Sequence, residues 1–131
     1  MNEQVQALMF DAARVLMRDP AVTNHPWTGI AVVFQVPEAD ASHYAVFGYR
    51  YNHGDWEALF LDDESPFTER MLEFRTASQV PNDKPWCASL MQVTRTGMKL
   101  ACDLEYDDPE RWTVTPANLE TRVGELRPTG A

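Results

Sequence analysis

The alternation of apolar and polar positions divides the chain into short helical and strand-like segments. Val5, Leu8, Met9, Ala12, Val15 and Leu16 recur at spacings of three and four, which predicts a helix with one apolar stripe. Pro20 stops that helix, and "TNHPWTG" turns the chain. "GIAVVFQV" is rich in β-branched residues and reads as a largely buried strand. "HYAVFGYRY" alternates instead, with Tyr44, Val46 and Gly48 on one side and Phe47, Tyr49 and Tyr51 mainly on the other. The turn signal "NHGD" follows, and Trp56 to Leu61 is expected as a short partner strand.

A second helix start lies in "DDESPFTERMLEFRTASQ". Ser65 can cap the free amides, and Pro66 suits the first helical position because its missing N–H costs nothing there. Asp62, Asp63 and Glu64 precede it, close to the positive end of the helix dipole, and Phe67, Met71 and Phe74 share one face. After the loop "VPNDKP", the segment "WCASLMQVTRTGMKLACDLEY" predicts a hairpin around a three-residue "RTG" loop, with Gly97 at a position of positive φ. That register pairs Thr94 with Met98, Leu90 with Cys102 and Trp86 with Tyr106. One face then collects Trp86, Leu90, Met98, Leu100, Cys102, Leu104 and Tyr106, and the other Lys99, Asp103 and Glu105. It also sets Cys87 and Cys102 on opposite faces, unable to bond to each other. "YDDPERW" is a turn, and Thr115-Pro116 begins a last helix with the stripe Leu119, Val123 and Leu126. The order of elements predicts an α+β fold: a mainly antiparallel sheet with an N-terminal, a middle and a C-terminal helix packed against it. No repeat or linker interrupts it, so residues 1–131 are expected to form a single domain.

Composition narrows the function classes. A chain of 131 residues with 44% hydrophobic positions can bury a core without metal or disulfide staples. Eleven Lys and Arg stand against twenty Asp and Glu, a formal charge of −9. That balance repels phosphate backbones, which argues against direct nucleic-acid binding, and attracts basic proteins. It is also the balance of an ordinary soluble protein. Two cysteines are too few for a disulfide scaffold or a four-cysteine zinc site. The first residues lack the apolar core of a signal peptide, and no stretch is apolar for the length of a membrane span, so a cytoplasmic location is expected.

The candidate chemistry is carried by acids. Asp103, Glu105, Asp107, Asp108 and Glu110 fall within eight positions. Asp103 and Glu105 on one strand face would stand about 6.5–7 Å apart, a separation that suits two carboxylates sharing acid–base work. Any acidic solvent-facing strand has the same spacing. Asp107, Asp108 and Glu110 offer oxygens to a hard cation but lack the periodic ligands and glycine of a calcium loop. Asp108 before Pro109 is equally a turn and cap. His25, His43 and His53 have no metal-ligand spacing, Ser65 and Ser89 no nucleophile-elbow context, and Cys87 reads as a small core residue. No phosphate-binding glycine motif is present. Neither an active site nor a cofactor is expected, although a small metal-dependent or acid–base hydrolase using Asp103, Glu105, Asp107 and Asp108 is the alternative.

From Trp86 onward the sequence resembles the YezG-like family of bacterial antitoxin and immunity proteins. The resemblance lies in Trp86 opening a strand, the glycine turn at Gly97, the segment Glu105-Tyr106-Asp107-Asp108-Pro109 with Trp112, and Thr115-Pro116 in the tail "TVTPANLE". It implies a small α+β protein without catalysis that binds and neutralises a cognate toxin, often a nuclease. A nuclease presents basic side chains to its substrate, and an acidic inhibitor can occupy that surface. The candidate contacts are Asp62, Asp63, Glu64, Asp103, Glu105, Asp107 and Asp108, with Trp56 and Trp112 as aromatic anchors. Each acid alone is equally a solvated charge, and each tryptophan a core residue; their clustering singles them out. Sequence does not say which strand edges stay open, so the oligomeric state is undecided.

Overall fold

The computed structural model describes residues 1–131. Helix α1 spans Glu3–Arg18 and is capped by Asn2, whose Oδ1 accepts from the amide of Val5 at 2.9 Å. Asp19 closes α1 and caps the one-turn helix α2, Pro20–Thr23. Pro20 therefore ends one helix and opens the next. Strand β1 is Gly29–Gln35, followed by β2, Ala45–Asn52, and β3, Asp55–Leu59. Helix α3 is Ser65–Ser78, then come β4, Ala88–Thr94, β5, Lys99–Glu105, and α4, Leu119–Leu126.

The five strands form one antiparallel sheet in the order β3-β2-β1-β4-β5. Central β1 is covered on both faces, which explains its unbroken apolar run. Ile30, Val32 and Phe34 face a layer made by α1 and α3, where Leu16, Phe67, Met71 and Phe74 are buried. Ala31 and Val33 face the other way, onto Tyr49, Tyr51, Leu90, Trp112, Val123 and Leu126. Of the four helices, α1 and α3 cover one face and α4 the other.

The C-terminal segment is held to the sheet by hydrogen bonds as well as packing. The buried hydroxyl of Tyr51 donates to the Val123 carbonyl at 2.6 Å, and Gln92 donates to that of Leu126 at 2.8 Å. Gln35 reaches Thr113 Oγ1 at 2.6 Å and the Pro109 carbonyl at 3.1 Å. On the helical side, the buried guanidinium of Arg75 donates to the carbonyls of Trp86, Glu38 and Ala39. Burial pulls its pKa down from the ordinary value.

Several expected details differ. The β4–β5 turn has four residues, Arg95–Met98, with both Gly97 and Met98 at positive φ. The register is accordingly Thr94 with Lys99 and Leu90 with Asp103, one step from the expected pairing. Leu90 therefore faces α4, while Leu100, Cys102 and Leu104 pack on the helical side. Trp86 joins that helical side too. Both the amide of Cys87 and the residue Ala88 oppose Glu105, a bulge that reverses the alternation ahead of β4. Met98 and Tyr106, expected on the apolar face, are exposed. Ser65 does not cap α3; its own amide donates to Asp63 Oδ1 at 3.0 Å, and the cap position is Glu64. The last helix begins at Leu119, after a turn in which Thr115 and Asn118 exchange side chain–backbone bonds. Cys87 and Cys102 are both free thiols.

Candidate functional site: an acidic sheet edge

The two groups of acids singled out by sequence do not share a surface. Asp62, Asp63 and Glu64 follow β3, and Asp103 and Glu105 lie on β5, at the opposite margin of the sheet. Four interstrand steps separate them, roughly 19 Å. A single acidic face spanning all seven residues does not form.

Around β5 the acids are largely spent within the chain. Glu105 accepts from the amides of Asp107 at 2.9 Å and Asp108 at 3.2 Å, and from Arg111 at 3.1 Å. These bonds hold its carboxyl below the usual glutamate range, the two backbone donors foremost. Asp107 pairs with Lys84, and Asp108 accepts from the amide of Glu110 at 3.0 Å. The "YDDPERW" segment is thus a self-capped turn. Asp103 is exposed on β5, on the face away from Leu104. None of the five principal recesses is lined by Asp103, Glu105, Asp107 or Asp108. No three His, Cys, Asp or Glu side chains stand close enough to share a metal ion.

The tryptophans also part company. Trp112 is only 6% exposed and belongs to the core beneath α4, so it is not available as an anchor. Trp56 is half-buried, set edge-on to Tyr49 with ring centres 5.6 Å apart. One side of it lines a polar recess of about 160 Å³ shared with His25, Arg50 and Glu57. Arg50 is buried there and spends its charge on Glu57 and on the Ala21 carbonyl at 3.1 Å.

Asp62, Asp63 and Glu64 are different. All three are exposed, and none forms an ion pair. The backbone of Asp62 and Asp63 is fixed from below by Asp19, whose carboxylate accepts from the amides of Ala21, Asp62 and Asp63 at 2.9, 3.0 and 3.2 Å. The carboxylates of Asp62 and Glu64 therefore stand on an anchored loop while keeping their lone pairs free of protein donors. Asp63 gives one oxygen to the Ser65 amide. Beside them is Phe60, 81% exposed, the most open of the large apolar side chains. It shares shallow recesses with Asp62 on one side and Glu64 on the other.

Phe60 was not among the residues that sequence reasoning singled out. The signal for it is the alternation in "WEALFL". Leu59 and Leu61 both pack on the helical cluster, which leaves the ring between them turned outward.

No protein-family model matches the chain, and a search of curated proteins returns no match. What the arrangement can do chemically is therefore read from its own geometry: an exposed aromatic ring beside carboxylates without cations of their own.

Proposed function

We propose that the chain is a binding protein of the antitoxin or immunity kind, which neutralises a toxin by covering a basic, nuclease-like surface. The observation that supports this most is Phe60, exposed beside Asp62, Asp63 and Glu64, none of which has a cation within the protein. Protein interfaces draw most of their affinity from a few desolvated aromatic or arginine anchors, with charged residues around them setting encounter rate and register. The net charge of −9 adds long-range attraction for a cationic partner. The resemblance to YezG-like proteins in the last third of the chain points to the same class.

The docking surface in this reading is smaller than the sequence suggested. It keeps Asp62, Asp63 and Glu64, with Trp56 on the same sheet margin, and adds Phe60. It leaves out Glu105, Asp107, Asp108 and Trp112, whose side chains serve the fold. Asp103 stays exposed but lies on the far margin.

Co-expression with the product of the adjacent open reading frame tests the reading. Growth should be rescued by the wild-type chain and not by one carrying Phe60→Ala with Asp62, Asp63 and Glu64 each changed to Lys. Binding of the purified pair should weaken as salt rises. No binding at low salt would overturn the proposal.

A further inference from the structure

Strand β5 ends the sheet with nothing paired to its outer side. The carbonyl of Glu105 accepts from the amide of Cys87, so Glu105 turns its backbone polar groups toward β4. By alternation Lys99, Ala101 and Asp103 do the same, and Leu100, Cys102 and Leu104 turn theirs outward. The side chains follow the opposite division. Leu100, Cys102 and Leu104 pack on the helical cluster, while Lys99, Ala101 and Asp103 are exposed on the other face.

This edge is complementary to itself. When two copies of β5 run antiparallel about a two-fold axis at Cys102, every outward-facing residue meets an outward-facing residue: Leu100 meets Leu104, and Cys102 meets its own copy. Lys99 of each copy falls opposite Glu105 of the other, and Ala101 opposite Asp103, so no like charges are directly opposed. Charges on an edge strand ordinarily discourage pairing. Here their placement leaves this register without directly opposed like charges.

We propose that the chain forms a two-fold dimer through β5, making one ten-stranded antiparallel sheet from two five-stranded ones. The occupant of the edge is a second copy of this chain, selected by the hydrogen-bonding phase and by the facing Leu100–Leu104 pairs, with no like charges directly opposed. The interface lies across the sheet from Phe60 and Asp62, so it stands or falls independently of the proposed partner surface.

Sedimentation equilibrium across a concentration range should give twice the 14.9 kDa chain mass, with dissociation on dilution. Hydrogen exchange at the amides of Leu100, Cys102 and Leu104 should slow as concentration rises. Ala101 is exposed and its backbone already serves β4, which makes it the position to vary. Ala101→Lys meets Asp103 twice and should tighten the dimer by roughly two- to thirtyfold; Ala101→Glu should loosen it by a similar factor. The same two substitutions at exposed Ala117, remote in sequence from β5, control for net charge and should leave the dimer within about twofold. A monomer at all concentrations overturns the proposal. So does an equal shift at Ala101 and Ala117, or a shift of the same sign for both Ala101 variants. If a variant fails to fold, concentration-independent exchange at the three amides of the wild type overturns it.

Discussion

Asp19 Oδ1 accepts from the backbone amide of Asp62 at 3.0 Å, a contact that ties the junction of α1 and α2 to the loop carrying the candidate docking surface. The same carboxylate serves Ala21 and Asp63. A residue with little surface of its own thereby positions two, Asp62 and Asp63, that face solvent.

Replacing Asp19 by Ala leaves three amides without their acceptor. The expected loss is about 2–3 kcal/mol of stability, read from denaturant unfolding. Asp19→Asn keeps one acceptor oxygen and should lose less. Equal losses for the two would show that the carboxylate does not organise the loop.

Phe60→Ala should leave folding intact, because the ring buries almost nothing within the chain. Affinity for the proposed basic partner should fall by about 2 kcal/mol or more, near thirtyfold, mainly through faster dissociation. Reversing the charges of Asp62, Asp63 and Glu64 should instead slow association and flatten its salt dependence. Surface plasmon resonance separates the two effects, and unchanged rates in both variants would remove this surface from consideration.

Trp112→Ala should act through stability. Its ring is enclosed beneath α4, and truncating it is expected to cost about 3–5 kcal/mol. Tyr51→Phe tests the same layer more gently. It leaves the Val123 carbonyl without the hydroxyl donor, at about 1–2 kcal/mol. Thermal unfolding measures both, and a Trp112 variant as stable as wild type would contradict its place in the core.

Glu105 makes a pH prediction. Its folded pKa is lowered, by the amides of Asp107 and Asp108 first and by Arg111 after them. A depressed carboxyl contributes stability above its unfolded pKa, near 4.3, and loses it as pH falls through the folded value. The melting-temperature advantage of wild type over Glu105→Gln should therefore be constant from neutral pH down to about 5 and close below about 4. An advantage that persists at pH 2 would contradict the assignment.

Wherever local chemistry suffices, sequence alone determined the outcome. The stripe from Val5 to Leu16, the β-branched run of β1, the alternation of β2 and the "NHGD" turn are short-range patterns, and each formed the expected element. Together they were enough for the α+β class and the antiparallel sheet. Tertiary structure decided what depends on distant neighbours. The β4–β5 register shifted by one residue because Gly97 and Met98 both adopt positive φ, which lengthens the turn, while β1 fixes β4 from its other side. Strand order sent Asp62 and Asp103 to opposite margins, although both lie in acidic, solvent-facing stretches. Glu105, Asp107 and Asp108 look in sequence like Asp62, Asp63 and Glu64. Only folding shows that the first set meets amides, Lys84 and Arg111, while the second is left without a cation. A carboxylate's charge is written in the sequence; whether that charge is already answered depends on what folding brings within about 3 Å of it.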